Sequence, residues 1–189
     1  MNDIQIKKAD SITGKTLVLR NASTSDANFV HGLRIDEEKS RHLSKVTDNV
    51  DAQVRWLENY ASKTGEAYFI IEGLDKTALG TVRIYDAQGD SFCWGSWILS
   101  KGAPASAAIE SALIVYAYAL DHLGFKNSHF QVHKENESVW RFHERFGAIR
   151  HFEDDIQFHY TLAHKDILAS VTRYRRFLNN GISVQELCN

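Results

Sequence analysis

The sequence is poor in cysteine and proline, with two cysteines and a single proline among 189 residues. Cys93 and Cys188 lie far apart along the chain, so no disulfide framework is expected and a reducing cytoplasm is the expected location. No apolar run approaches the roughly 20 residues that a membrane-spanning helix needs. Residues 1–8 also lack the layout of a signal peptide. These absences favour a cytoplasmic protein with no membrane partner.

An excess of one charge is also missing, since 22 basic residues face 24 acidic ones and the net charge is -2. A nucleic-acid-binding protein normally shows a basic face, so none is expected here. Nine histidines are present, but no HExxH motif and no Cys/His cluster, and we predict no metal site. Apolar residues make up 43% of the chain, which is typical of a globular domain that buries a full core.

Hydrophobic patterning predicts a mixed α/β protein in which residues 1–15 are a polar lead-in, 16–164 a folded domain and 165–189 a helical tail. The expected sheet has six to seven strands, with helices on both faces. The predicted strands are 16–22, 67–72, 79–86, 91–99, 128–132 and two within 148–163. The predicted helices are 23–34, one from about residue 50 to 61 capped by Asp48, 105–123 ended by Gly124, 136–146, and one from Lys165 with Leu168 and Val171 on its inner side.

This order of elements, with three local motifs, resembles the GNAT N-acetyltransferase family over residues 16–163. The first motif is the opening LRNASTSD at 19–26, where Ser23 and Asp26 also have capping-box spacing. The second is the strand WGSWIL at 94–99 with the turn and long helix that follow. The third is NESVWRFHERFG at 136–147, similar to the family stretch Asn-x-x-Ala-x-x-Leu-Tyr-x-x-x-Gly. Bacterial GNAT enzymes that act on nucleotide-linked amino sugars are the members it resembles.

The resemblance implies that acetyl-CoA binds where the second motif leads into the long helix. A helix start offers unpaired N–H groups to a pyrophosphate, and the strand before it can pair with the pantetheine amides. Family members usually carry Arg/Gln-x-x-Gly-x-Gly/Ala in this loop. Here SKGAPASAA at 100–108 keeps one glycine and contains Pro104, so an ordinary strand-to-helix turn is the alternative. The implied cofactor-binding residues are Trp97, Ile98, Leu99, Lys101, Gly102, Ala103, Ala105, Ser106, Ala107 and Asn136.

The resemblance also places His143 where the family has a tyrosine beside the CoA sulfur. A histidine ordinarily titrates near pH 6.5, so an imidazolium there is expected to protonate the departing thiolate as the catalytic acid. The alternative is a packed histidine at the border of the apolar face of its helix. Asn136 can cap the same helix as well as bind CoA. Cys93 is expected to be a buried, inert thiol.

The resemblance further implies that the acceptor lies under the loop at about 36–47, where Arg41 and His42 would form a basic substrate-binding lid suited to a phosphate-bearing amine. A solvated run of surface charges is the alternative. No residue is assigned as the general base: Glu72, Asp86, Asp90 and a water relay all remain open.

The sequence therefore favours an acetyl-CoA-dependent N-acetyltransferase acting on a primary amine of a small metabolite, with amino sugars as candidates. Two alternatives remain open, acetylation of a protein or peptide amine and a non-catalytic GNAT-like domain that binds acyl-CoA. A homodimer is a further option, because the basic stretch around Arg173, Arg175 and Arg176 suits either solvent or an oligomer contact.

Overall fold

The computed structural model describes residues 4–36 and 49–187, which form one mixed sheet flanked by helices on both faces. The strands are β1 Ala9–Thr13, β2 Leu17–Asn21, β3 Ala67–Gly73, β4 Ala78–Gln88, β5 Ser91–Leu99, β6 Asn127–His133, β7 Ile149–Glu153, β8 Gln157–Leu162 and β9 Ser183–Glu186. The helices are α1 Ala27–Ile35, α2 Val50–Ser62, α3 Ala107–Ala117, α4 Glu137–Arg145 and α5 His164–Arg173.

The strand order across the sheet is β7-β8-β6-β5-β4-β3-β2-β1-β9. Neighbouring strands pair antiparallel except β5 and β6, which run parallel. The parallel contact is short and joins Ser91 to Asn127 and Phe92 to Ser128. Because α3 connects β5 to β6, this crossover is the βαβ unit that parallel neighbours require.

The sheet has nine strands rather than the six to seven expected. The two additional strands come from the ends of the chain, where a polar lead-in and a helical tail were predicted. In β1, Ala9 and Ile12 are fully buried, and Ile12 pairs with Leu19 of β2 and with Val184 of β9. Both strands are short and mostly polar, and their pairing depends on distant residues, so local alternation did not reveal them.

The large core lies between the sheet and α3, α4 and α5, and a smaller one lies under α1 and α2. Helix α3 is buried on nearly every side, as its apolar sequence predicted. Its Glu110 is 1% exposed and accepts hydrogen bonds from the backbone N–H groups of Thr16 and Leu17, at 2.6 and 3.0 Å. A buried carboxylate needs such donors, and these join α3 to the start of β2.

The predicted capping box at the start of α1 is confirmed. The Asp26 carboxylate accepts a hydrogen bond of 2.8 Å from the backbone N–H of Ser23 and pairs with the Arg20 guanidinium, also at 2.8 Å. Arg20 bridges in turn to Glu72 of β3, again at 2.8 Å. Burial alone would raise the pKa of Asp26, but the hydrogen bonds from Arg20 and Ser23 hold it below its ordinary value. The network fastens α1 to the sheet.

Several predicted helix boundaries and faces differ from the structure. Helix α2 is capped by Asn49, whose side chain accepts from the Asp51 N–H, while Asp48 lies outside the described residues. Helix α3 begins at Ala107 and changes into a π-helical turn at Tyr118. In α5 the prediction that Leu168 packs inward is wrong: it is 46% exposed, and Ile167 takes the buried position.

Candidate active site in the cleft between β5 and β6

A cleft opens in the sheet where β5 and β6 separate beyond their short parallel contact. Its volume is about 100 Å³. The lining residues are Trp94, Gly95, Ser96 and Trp97 from β5, Phe130, Gln131, Val132 and His133 from β6, Asn136, Val139 and His143 at and in α4, and Gln157 from β8. The cleft therefore passes through the sheet, with α4 on one side and the face opposite α3 on the other.

A β-bulge in β5 shapes the cleft wall. Ser96 has a φ of 47°, in the left-handed region that is uncommon for residues other than glycine, and the β4–β5 register shifts between Thr81 and Arg83. The Thr81 hydroxyl donates to the Ser96 carbonyl at 2.8 Å and holds the bulge in place. Beyond it, Ile98 pairs with Thr81 on the β4 side, whereas in the described chain no strand pairs with the other edge of residues 97–99. That edge is available to ligand amides.

The loop after β5 presents several backbone donors at one place. The N–H of Ala107 bonds to the Pro104 carbonyl at 2.9 Å, and the N–H of Glu110 bonds to the Ser106 carbonyl at 3.0 Å. Pro104 thus lies three residues before the helix rather than at its first position. Within the described ranges, the N–H groups at this helix start that have no backbone acceptor include those of Gly102, Ala105, Ser106 and Ala108.

Small side chains keep this loop open. Gly102 and Ala105 are exposed, and a Cβ added at Gly102 would meet no atom within 4 Å. No described packing contact therefore accounts for the glycine, whereas close approach of a phosphate to the backbone would. Of the other predicted cofactor residues, Lys101 is exposed, Ala103 and Ser106 are half-buried, and Ala107 is buried.

The predicted cleft residues differ in which way they face. Trp97 lines the cleft and donates from its indole N–H to Ser111 of α3 at 3.2 Å, while Ile98 is buried and Leu99 half-buried. Asn136 lies at the start of α4, but its side chain makes no capping hydrogen bond there. Its Oδ1 accepts from the Ser138 hydroxyl at 3.4 Å, and the residue lines the cleft, so the capping interpretation of the side chain is wrong.

His143 is the buried residue of α4, with 5% of its surface exposed. Its ring centroid lies 4.2 Å from that of Phe130, 5.2 Å from that of Trp94 and 6.4 Å from that of Trp97. Its Nδ1 has no hydrogen-bond partner among the described residues. Burial lowers the pKa of His143 to about 3, so the expected imidazolium is wrong for the ligand-free protein, in which the ring is neutral at pH 7.

The profile of the acetyltransferase (GNAT) domain matches residues 16–149. The chain belongs to the GNAT acetyltransferase family. Apo FdhC, described as a nucleotide-linked sugar GNAT, is 36% identical, with a TM-score of 0.78 over 93% of this chain and 99% of FdhC. Membership and this relative support an N-acetyltransferase enzyme.

More distant solved structures share the fold. A GCN5-related N-acetyltransferase from Brucella melitensis is 15% identical, with a TM-score of 0.76 over 92% of this chain and 88% of its own. Spermidine N-acetyltransferase from Vibrio cholerae, solved with CoA and spermine, is 18% identical, with a TM-score of 0.68 over 81% of this chain and 98% of its own. No curated protein sequence matches the chain.

In this GNAT chain, other candidates from the sequence are accounted for by packing. Cys93 is 2% exposed, and burial raises the pKa of its thiol to about 11, so it is unreactive at neutral pH, as predicted. Arg41 and His42 lie outside the described residues.

Within residues 4–36 and 49–187, no group of three or more His, Cys, Asp or Glu side chains is placed to hold a metal ion. The helices of the same ranges are each too short or too polar to cross a membrane.

A polar sheet face borders the cleft on the side away from α3 and was not recognised from the sequence. Helices α1 and α2 pack over β2, β3 and β4 on this side, and no described helix covers it from β6 to β7. The side chains of this face on β6 and β8 are His129, Gln131, His133, Gln157, His159 and Thr161. Their alternation with apolar residues was the available signal, since period-2 polarity marks one face of a strand.

Proposed function

We propose that this GNAT enzyme transfers an acetyl group from acetyl-CoA to a primary amine of a nucleotide-linked amino sugar. The single observation that carries the proposal is the cleft between β5 and β6, whose unpaired strand edge leads into a helix start rich in free N–H groups. The likeness to FdhC supports the sugar acceptor. The cleft opens at both faces of the sheet, so donor and acceptor can enter from opposite sides.

On the donor side, residues 97–99 pair through their backbone with the pantetheine amides, and Asn136 bonds the same arm. The N–H groups of Gly102, Ala105, Ser106 and Ala108 bind the pyrophosphate, because several aligned donors at the positive end of a helix suit an anion. Ala103 and Ala107 leave the phosphates room to approach, and Lys101 adds a positive charge. This arrangement uses every residue predicted to hold the cofactor, and Ile98 takes part through its backbone alone because its side chain lies in the core.

The reaction is direct attack by the amine nitrogen on the thioester carbonyl, after which the C–S bond breaks and CoA leaves as a thiolate. Since burial keeps His143 neutral, we assign it a hydrogen bond from its ring N–H to the sulfur rather than transfer of a proton. The thiolate is stabilised as it forms and takes its proton from solvent on release. His143→Phe should lower kcat by about tenfold to a hundredfold with little effect on binding, and unchanged kcat would contradict the assignment.

The first experiment is calorimetric titration of the purified chain with acetyl-CoA and with CoA, followed by an acceptor screen. Micromolar binding and acetylation of UDP-glucosamine or its 3-amino and 4-amino counterparts would support the proposal. Binding without transfer to any amine would favour the non-catalytic alternative. The single glycine of the loop and Pro104 are the features that support that alternative. Transfer to peptide amines alone would favour the protein acetyltransferase. Failure to bind either cofactor would overturn the proposal.

A further inference from the structure

His159 lies on the polar face one strand away from the cleft. It is the direct cross-strand partner of Gln131, and Gln131 lines the cleft together with Gln157 of the same strand as His159. Directly opposed residues of an antiparallel pair have Cβ atoms about 5 Å apart on the same face. His159 therefore lies beside Gln131 on the polar face, outside the residues that line the cleft and on the side opposite α4 and His143.

The imidazole of His159 is held in one orientation. Its Nε2 lies 2.7 Å from the Asp154 carboxylate, which itself accepts the backbone N–H groups of Ile156 and Gln157 at 2.8 and 2.7 Å. The ring also stacks on Phe152, with 4.0 Å between the centroids and 19° between the planes. The carboxylate fixes the proton on Nε2, so Nδ1 carries the lone pair. In the described part of the chain Nδ1 has no hydrogen-bond partner, and the side chain is 23% exposed.

The other histidines near the cleft are placed differently. His129 uses both ring nitrogens, one with the Ser91 hydroxyl at 2.7 Å and one with Asp86 at 3.2 Å. His133 accepts the Glu135 N–H on its Nδ1. His143 is enclosed by aromatic rings on the donor side. His159 thus combines a carboxylate-oriented ring, an accessible lone pair and a position on the acceptor side.

We infer that His159, oriented by Asp154, is the general base of the transfer reaction. Its Nδ1 takes one proton from the ammonium group of the acceptor, and the freed nitrogen lone pair forms the new bond to the thioester carbonyl carbon. The C–S bond then breaks with its electron pair on the CoA sulfur, and the second N–H proton, which is lost as the amide forms, leaves to solvent. The first proton stays on His159, and Asp154 stabilises the imidazolium, the arrangement of an oriented histidine base. The inference rests on the proposed function and adds the residue that the sequence left unassigned.

The groups around His159 define the pH dependence to be measured. The titratable side chains on its face include Asp154 in the β7–β8 turn, His151 on β7, His129 and His133 on β6, and Asp86, which contacts His129. The cross-strand neighbour of His159 on β6 is the uncharged Gln131. Protonation of the base abolishes its function, so kcat/KM for an amino sugar should fall as the pH is lowered. Because the neighbouring histidines can also contribute to the fall in kcat/KM, the comparison of variants must show which residue causes it.

The test compares His159→Asn and Asp154→Asn with the wild-type chain, using UDP-glucosamine and its 3-amino and 4-amino counterparts as acceptors and hydroxylamine as a second probe. An alkyl amine is protonated at neutral pH and needs a base, whereas hydroxylamine is largely neutral there. H159N should lower kcat/KM for the amino sugar about a hundredfold while retaining most activity with hydroxylamine, and D154N should show a smaller loss of the same kind. The matched control is His122→Asn, because His122 pairs with Glu186 at 2.7 Å far from the cleft.

The outcomes separate this inference from the proposed function. Equal losses with both acceptors would mean that His159 has a structural role, and unchanged activity of H159N would mean that it has none; either result overturns the inference while the acetyltransferase stands. In H159N the remaining amino-sugar activity should rise about tenfold for each pH unit, as expected when solvent must remove the proton. A wild-type chain that binds acetyl-CoA but acetylates no amino sugar in the set overturns the proposed function and this inference together.

Discussion

The two faces of the sheet at the cleft are built from the same strands and differ in almost every physical property. On the α3 and α4 face, alternate residues of β5 and β6 are aromatic, such as Trp94 and Phe130, and enclose the ring of His143. Its Nδ1 has no hydrogen-bond partner in the part of the chain that the structure describes. On the opposite face the alternate residues are polar and exposed or half-buried, such as Gln131 and His159. A strand whose two faces are both accessible to ligands can supply an apolar enclosure for one substrate and hydrogen-bonding groups for another. The face on which a histidine lies also determines whether its ring is buried and neutral or oriented by a carboxylate.

The largest expected effect is a loss of CoA binding caused by a change on the donor side alone. Ala105→Asp places a carboxylate beside the N–H groups assigned to the pyrophosphate, and like-charge repulsion of about 2–3 kcal/mol corresponds to a loss of CoA affinity of roughly a hundredfold. Because Ala105 is exposed, the fold should be unaffected. Calorimetry measures the affinity, and Ala105→Asn is the uncharged control. Equal affinities for the aspartate and asparagine variants would place the pyrophosphate elsewhere.

The second effect concerns the buried histidine. The folded-state pKa of His143, about 3, lies below the 6.5 of the unfolded chain, so its neutral form contributes stability that is complete above pH 6.5 and is lost as the pH falls from 6.5 towards 3. Between pH 7.5 and pH 5 this amounts to about 2 kcal/mol. His143→Phe should remove that part of the acid sensitivity. Urea unfolding of both chains at several pH values measures it, and parallel curves for the two would contradict a neutral buried ring.

A third change addresses the polar face. Gln131→Leu removes a hydrogen-bonding group from the mouth of the cleft, and we expect KM for the amino-sugar acceptor to rise about tenfold, close to the 1.4 kcal/mol typical of one lost hydrogen bond. Affinity for CoA should stay within twofold, because the donor lies on the other side. Steady-state kinetics with each substrate varied in turn distinguishes the two. A rise in the CoA constant instead would show that the faces are not separate sites.

The smallest expected effect is that of Lys101→Ala. An exposed lysine contributes about 0.5 kcal/mol to an ionic contact, so CoA binding should weaken roughly twofold to threefold. The difference should disappear at high salt, where exposed charges are screened. Titrations at low and high ionic strength check this. A loss that persists in salt would indicate a direct and partly buried contact between Lys101 and the cofactor.

Much of the fold was accessible from the sequence because its central elements have strong local patterns. The continuous apolar run at 67–71 and the almost wholly apolar run at 105–123 specify a buried strand and a buried helix without tertiary information. Strands β1 and β9 were missed because their pairing joins residues 170 or more positions apart along the chain, and the segments themselves are mostly polar. A short polar segment can be assigned as a strand only when the strand it pairs with is known.

The site was predicted less completely than the fold. The loop at 100–108 and the position of His143 followed from the family resemblance, which aligns residues but not their surroundings. The burial of His143, and therefore the protonation state of its ring, depends on aromatic rings from two strands. The pairing of His159 with Asp154 depends on the β7–β8 turn, and its approach to the cleft depends on the register between β6 and β8. Neither register nor burial can be obtained from spacing alone.

The two-pair contact between β5 and β6 has a mechanical consequence. It divides the sheet into an antiparallel unit of six strands and another of three, β6, β8 and β7, which are two candidates for separate cooperative units of unfolding. A cofactor lying between β5 and β6 would contact both units and hold them together. Amide hydrogen exchange in the three-strand unit should therefore slow on addition of CoA by more than exchange in β2 and β3. The exchange rate of the three-strand unit then reports how much of the protein has CoA bound.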